Sequence, residues 1–304
     1  MSLSKIPLAG VIGSPIAHSK SPQLHRHWLE SYGIAGHYVP LDVTPEDLGE
    51  VLQMLPKMGF VGVNLTIPHK EQVMQIADQI SDRATLIGAA NTITFREGGK
   101  IYADNTDGYG FIQNLKTGAP DWQPKAGSAA VLGAGGAARA VVSSLIEAGV
   151  PEIYLSNRTR VRAEQLQRDF GQRVQVFDWV QAGNMLGHAD LVVNTTSLGM
   201  IGKGALRVPL DGLRPGTVVT DLVYAPLKTE LLEVAEQMGC VTVDGLGMLL
   251  HQAVPAFERW FGTRPTVDRA TRLAVLRCCF TSGSPAPSAW ENRPRRRCSP
   301  RRAA

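Results

Sequence analysis

Short apolar runs alternate with stretches of helical periodicity along most of the chain, and each period predicts an element. The first run, residues 8–12, reads as a strand that leads through Gly13-Ser14-Pro15 into a polar loop. Ser21 and Pro22 then offer a helix N-cap and a first-turn proline, with Gly33 as terminator. A strand at 37–43 is followed by Thr44-Pro45-Glu46-Asp47, which opens a helix whose Leu48, Val51, Leu52 and Leu55 share one face. A strand at 62–66 stops before Pro68, and 91–95 with 100–103 predicts a hairpin across Glu97-Gly98-Gly99. From residue 128 a second series begins, with strands at 129–132, 153–156, 174–176, 191–194, 218–221 and 241–243. Helical segments fill most of the gaps. Beyond Asp244-Gly245-Leu246-Gly247 only helices follow, over 248–260 and 266–279.

This alternation predicts an α/β protein with largely parallel sheets. The economical division is an N-terminal α/β domain at 1–106 and a Rossmann-type, doubly wound domain at 107–244. Helices at 245–280 are expected to pack back on the first domain, leaving 281–304 as a disordered basic tail.

Composition narrows the function classes. The 304 residues are 44% hydrophobic and 19% charged, ample for two packed cores. The longest apolar candidate, 129–150, is interrupted by Arg139 and Glu147, so no membrane span is expected. The amino terminus lacks the apolar stretch of a secretory signal, and a cytoplasmic location is the expectation. The net charge of +4 is misleading: residues 281–304 hold six Arg and one Glu, a net +5, which leaves −1 for the preceding 280. A nucleic-acid partner is therefore not expected. Cys240, Cys278, Cys279 and Cys298 have no metal-type spacing, and no metal is expected.

The strongest local signal is Gly133-Ala134-Gly135-Gly136-Ala137, directly after a strand and at the start of a helix. Small residues allow a tight turn and close backbone approach to a pyrophosphate, which the helix N-terminus attracts. Dinucleotide-binding folds that take NAD place an acid at the end of the next strand. Here that segment is Asn157-Arg158-Thr159-Arg160-Val161-Arg162, with no acid. A carboxylate would repel a 2′-phosphate and a guanidinium would bind it, so NADP is expected, with Arg158 first and Arg162 second as clamps.

Several other segments are too polar for ordinary β–α turns. His18-Ser19-Lys20-Ser21-Pro22-Gln23-Leu24-His25 could present the Ser19 and Ser21 hydroxyls to a small acid's carboxylate. In Asn64-Leu65-Thr66-Ile67-Pro68-His69-Lys70, alternation places Asn64 and Thr66 on one face, and Lys70 lies just past the strand's C-terminal end. Asp104-Asn105-Thr106-Asp107-Gly108 falls at the junction of the two domains, and Asp107 could orient Lys70 or simply cap a helix. His251 and Gln252 interrupt an apolar helix; for His251 a packing role outweighs a catalytic one.

These segments, with Gly88-Ala89-Ala90-Asn91-Thr92 and Asn194-Thr195-Thr196, follow one another as in the shikimate/quinate dehydrogenase family, which residues 6–275 resemble throughout. The resemblance implies NADPH-dependent, reversible reduction of 3-dehydroshikimate to shikimate, a step towards chorismate and the aromatic amino acids. It implies Lys70 as the catalytic lysine, with Asp107 as its partner, and Ser19 and Ser21 on the substrate carboxylate. Thr66, Asn91, Asp107 and Gln252 match residues on the substrate hydroxyls, and Tyr224 a tyrosine beside the substrate. Cofactor contacts are implied at Gly133, Ala134, Gly135, Gly136, Ala137, Asn157, Arg158, Thr159, Arg162, Thr195, Leu222 and Gly245. His69 stands where some members have phenylalanine. The competing enzyme reading is a quinate/shikimate dehydrogenase using NAD, which the arginines at 158–162 oppose. A non-catalytic NADP-binding regulator would have no use for Lys70 and Asp107. A homodimer is compatible with the resemblance and is left open.

Overall fold

The computed structural model describes residues 6–277, so the expected tail at 281–304 and three of the four cysteines lie outside the described residues. The first α/β series is β1 (Leu8–Gly13), α1 (Ser21–Ser31), β2 (His37–Asp42), α2 (Leu48–Met54), β3 (Phe60–Leu65), α3 (His69–Gln72), β4 (Gln79–Ile80), α4 (Asp82–Ile87), β5 (Thr92–Phe95) and β6 (Ile101–Asp104). Its sheet has the order β2-β1-β3-β5-β6-β4. The pairs β1–β2, β1–β3 and β4–β6 are parallel, while β5 runs antiparallel to both β3 and β6. The expected hairpin is the β5–β6 pair.

The second series starts with α5 (Asp107–Gly118) and continues with β7 (Ala129–Leu132), α6 (Gly136–Ala148), β8 (Ile153–Ser156), α7 (Arg160–Phe170), β9 (Val174–Phe177), α8 (Ala182–Gly187), β10 (Leu191–Asn194), β11 (Val218–Asp221), α9 (Glu230–Gln237) and β12 (Val241–Val243). The order β12-β11-β10-β7-β8-β9 is parallel throughout. Every residue of β7, β10 and β11 is buried, as strands covered by helices on both faces must be. The order reverses between β7 and β10, and α/β sheets bind ligands outside the strand ends at such a switch point.

Two helices close the described chain, α10 (Gly245–Phe261) and α11 (Arg269–Arg277). They return to the first sheet as the sequence predicts. Trp260 lies over β3, where its Nε1 donates to Ile93 O at 3.2 Å. Only glycine fits beneath it: a Cβ at Gly62 would stand 2.0 Å from Trp260 Nε1 and 2.3 Å from Ile93 O. Where α5 crosses α10, a Cβ at Gly110 would come within 2.7 Å of Met248 O.

Strand ends shift by a residue or two, and three expected helix starts move. Lys20 already has helical dihedrals and takes the N-cap position of α1 without a side-chain bond, so Ser21 is the first helical residue rather than the cap. Asp244 caps α10 by accepting from the Leu246 N–H at 3.1 Å, and the helix starts at Gly245 instead of 248. Asp268 accepts from both the N–H and the hydroxyl of Thr271 at 2.8 Å, which delays α11 to Arg269 instead of 266.

Candidate active site

The turn after β3 determines where Lys70 stands. His69 is fully buried and its Nε2 lies 2.8 Å from Val43 O, so the ring anchors α3 from below. The Lys70 carbonyl accepts from the Ala90 N–H at 2.8 Å, and the side chain is left to extend upward. Its Nζ lies 2.7 Å from Oδ2 of Asp107, the first residue of α5. The carboxylate is 3% exposed and the lysine side chain 23%, so the ammonium is the member of the pair that faces solvent.

Neutral donors hold the carboxylate in place. Asn91 Nδ2 donates to Asp107 Oδ1 at 2.7 Å and also meets Gln252 Oε1 at 3.1 Å. The Asn91 amide orientation is itself determined, because its Oδ1 accepts from the Thr106 N–H and the Thr92 hydroxyl, both at 2.9 Å. Asn105 accepts from the Asp107 N–H at 3.0 Å and donates to Ala89 O at 2.9 Å. Below this lies Asp104, fully buried and bonded by Arg83, Ser81 and Arg259. Burial would raise the Asp104 carboxyl, but those three partners overcome it and hold the group below the usual carboxylate range.

The other substrate-side candidates come from the head of α1, the turn after β3 and the loop after β11. Ser19 and Ser21 sit at the head of α1, where the Ser21 N–H donates to Ser19 Oγ at 3.4 Å. Thr66 follows β3, with its methyl against the Gly13 backbone. Tyr224 packs against the apolar cluster of Leu24, Trp28, Leu246 and Leu249, and burial raises its hydroxyl above the ordinary range. Lys70, Asp107, Asn91 and Gln252 are thus joined by direct bonds, although they come from α3, α5, the approach to β5, and α10. His251, the neighbour of Gln252, points elsewhere: its Nε2 lies 3.4 Å from the Thr117 hydroxyl.

The polar segment 18–25 divides in two. His25 turns into the core, stacked on Tyr38 at 3.8 Å, with neither ring nitrogen bonded, and burial lowers it to about 3. One site-supporting residue, Tyr38, was not singled out from the sequence. Tyr38 on β2 reaches across β1 and donates to Asn64 Oδ1 on β3 at 2.8 Å, and Asn64 donates to Asn91 O at 3.1 Å. Alternation pointed Asn64 to the correct face. Tyr38 carried no sequence signal, since its partner lies two strands away.

The nucleotide side is built around β7 and α6. Gly133 has φ +110°, and a Cβ there would come within 2.5 Å of Thr195 Oγ1, which donates to Leu132 O at 2.7 Å. By contrast, a Cβ at Gly135 would point into open space with nothing within 4 Å. That opening belongs to a cavity of about 430 Å³ lined by Glu71, Gly88, Ala134, Gly135, Arg139 and Arg162. Gly136 and Ala137 begin α6, so their amides have no partner within the helix. Asn157 Nδ2 donates to the Thr159 carbonyl at 2.8 Å and shapes the turn after β8. Arg160 is engaged by Glu164 and Asp178, whereas Arg158 and Arg162 are exposed and form no ion pair among the described residues. Gly245 packs on Leu222, where a Cβ would lie 2.5 Å from the Leu222 carbonyl oxygen. An open glycine turn, a helix N-terminus and two uncommitted guanidiniums beside an acid-free strand end fit a dinucleotide with a 2′-phosphate. Among the described residues no group of three or more His, Cys, Asp or Glu is placed to hold a metal. No helix among them is long and apolar enough to cross a membrane.

Comparison with known proteins agrees with this geometry. Three family models match: the shikimate dehydrogenase substrate binding domain at 11–93, shikimate/quinate 5-dehydrogenase at 120–202, and the shikimate 5′-dehydrogenase C-terminal domain at 245–272. A relative from Roseobacter denitrificans named shikimate dehydrogenase (NADP(+)) is 68% identical over 276 residues, covering 91% of this chain and all of that one. The same-named protein of Cereibacter sphaeroides is 69% identical over 272 residues, with 90% and 98% covered. Among solved structures, shikimate 5-dehydrogenase of Thermus thermophilus in complex with NADP(H) and shikimate has a TM-score of 0.80 at 38% identity, covering 90% and 99%. Quinate dehydrogenase of Corynebacterium glutamicum in complex with NAD has a TM-score of 0.83 at 32% identity, also covering 90% and 99%.

Proposed function

The chain belongs to the shikimate dehydrogenase family, and from that premise we propose that it reduces 3-dehydroshikimate reversibly to shikimate with NADPH. The Lys70–Asp107 pair, in a chain that also carries an open glycine turn, is the observation that carries this reading. The cofactor supplies the hydride when bound. Gly133, Ala134, Gly135, Gly136 and Ala137 would hold its pyrophosphate; Asn157, Arg158, Thr159 and Arg162 its phosphorylated ribose; and Thr195, Leu222 and Gly245 the nicotinamide side.

The protein's own task is the oxygen. A carbonyl that gains a hydride accumulates negative charge on oxygen, which needs a proton or a fixed cation. The ammonium of Lys70 provides both. Asp107 Oδ2 holds Nζ at 2.7 Å, and Asn91 on Oδ1 stops the carboxylate from rotating away. The Ser19 and Ser21 hydroxyls would receive the substrate carboxylate, while Thr66, Asn91, Gln252 and Tyr224 line the ring. In the reverse direction Lys70, as the neutral amine, takes the hydroxyl proton.

The experiment is to follow reduced-nicotinamide absorbance with shikimate or quinate crossed against NADP or NAD. The expected outcome is turnover concentrated in the shikimate–NADP combination, and activity confined to quinate with NAD would overturn the reading. The quinate reading has little to stand on, because Arg158 and Arg162 remain beside an acid-free strand end. The same proposal comprises a substrate domain at 1–106 completed by the helices of 245–280, a nucleotide domain at 107–244, and a cytoplasmic location. The homodimer is a separate reading, tested by light scattering.

A further inference from the structure

The ends of β10 and β11 hold a charge that this reaction scheme does not use. Asn194 and Asp221 are the last residues of the two strands and pair in register. Asp221 is 1% exposed, and only neutral donors hold its carboxylate. Asn194 Nδ2 and the Val223 N–H reach Oδ1 at 2.9 Å, and the Thr229 hydroxyl reaches Oδ2 at 2.7 Å. The charged groups beside it in the chain and at the start of α10 are engaged elsewhere, Lys228 by Glu236 and Asp244 by Arg272. Burial pushes the Asp221 carboxyl up to about 6, against the pull of Thr229, Val223 and Asn194. All three bonds run from donors into the two carboxylate oxygens, the pattern an ionised carboxylate accepts, and no counter-ion reaches it among the described residues. An asparagine would satisfy the same three bonds, its amide donating to Thr229. The fold therefore keeps a buried charge where a neutral isostere fits, and that costs stability.

The neighbours of Asp221 indicate where this charge acts. Leu222 and Tyr224 follow it, Thr195 follows Asn194, and a Cβ at Gly245 would lie 2.7 Å from the Asp221 carbonyl oxygen. We infer that Asp221 is a positioning residue whose fixed negative charge favours the oxidised, cationic nicotinamide over the reduced, neutral one. This inference rests on the cofactor site proposed above, and its test separates the two.

Dissociation constants of NADP⁺ and NADPH are measured by titration calorimetry for the wild type and for Asp221→Asn. The expected result is that NADP⁺ weakens about 3- to 10-fold more than NADPH, the size of one unit charge acting through a partly solvated side-chain layer. Equal changes for both forms, or none, overturn the inference; a wild type that binds neither overturns the cofactor reading instead. Should the variant fail to fold, the wild-type ratio is compared at pH 5 and pH 8. Both forms carry the same phosphates, whose titration cancels in the ratio. Facing Asp221, Asn194 and Thr229 are uncharged throughout, and the buried Tyr224 hydroxyl stays neutral. The preference for NADP⁺ should fall at pH 5, and a constant ratio overturns the inference.

Discussion

Lys70 Nζ and Asp107 Oδ2 stand 2.7 Å apart, one following the third strand of the first sheet and the other opening the helix that leaves that sheet for the second. The proposed proton delivery thus falls where the chain passes from one sheet to the other. Lys70→Met should lower kcat by about 10²- to 10⁴-fold with a smaller change in KM, as loss of proton transfer does. Steady-state kinetics with shikimate and NADP measure this. An unchanged kcat would remove Lys70 from the mechanism. The fold should persist, because Asp107 keeps its bond from Asn91.

The arginines after β8 are not equivalent. Arg160 is held by Glu164 at 2.8 Å and by Asp178, while Arg158 is uncommitted and Arg162 lines the cavity at the glycine turn. Arg158→Asp should weaken NADP by about 10- to 100-fold, the range of one charge-assisted bond lost to a repulsion, and NAD far less. Arg160→Ala serves as the control and should leave the NADP/NAD ratio near the wild-type value. Equal losses for both cofactors in Arg158→Asp would mean that the 2′-phosphate is held elsewhere.

Much of this architecture was legible from local pattern. The strands of the second sheet are buried apolar runs bounded by turn residues, so periodicity alone located them. Lys70 and Asp107 stood out because polar residues sat where an α/β turn needs none, whereas Asn91 entered only through the family resemblance. What local pattern could not show was long-range contact. Tyr38 reads as an ordinary strand tyrosine until β2 and β3 flank β1, and His25 reads as part of a polar segment until helix phase turns it onto Tyr38. In sequence Asp221 is one more strand-terminal acid; only the fold shows that among the described residues its carboxylate is held by neutral donors alone.

The seat of the returning helix tests the packing account. At Gly62 an added methyl would collide with the Trp260 ring and with the Ile93 carbonyl oxygen, and a backbone atom cannot swing aside. Gly62→Ala should therefore cost about 1–3 kcal/mol or more, as overpacked cores do. Thermal unfolding should show a lowered Tm, with altered indole fluorescence as Trp260 lifts. Gly247→Ala meets first the Asn114 side-chain amide, which can turn away at the cost of its 2.8 Å bond to Asp244 O. Its penalty should be the smaller of the two, and the reverse order would refute this picture of α10.

Acid stability depends on Asp104. Its carboxylate is fully buried and bonded by Arg83, Ser81 and Arg259, which keep it ionised below the usual carboxylate range despite burial. A group whose folded pKa is depressed contributes stability that is whole above its unfolded value of about 3.9 and drains as pH falls through the folded value. Arg83 is half exposed, so the loss in Asp104→Asn at neutral pH should be about 2–3 kcal/mol, below that of a fully buried pair. Urea unfolding of both proteins at pH 7, 4 and 3 reads the difference. The gap between them should hold at pH 7, begin to close near pH 4 and narrow further at pH 3, since only the wild type has a proton to gain at this site. A gap that stays constant down to pH 3 would show that the arginines stabilise Asp104 through shape and hydrogen bonding alone, without the charge.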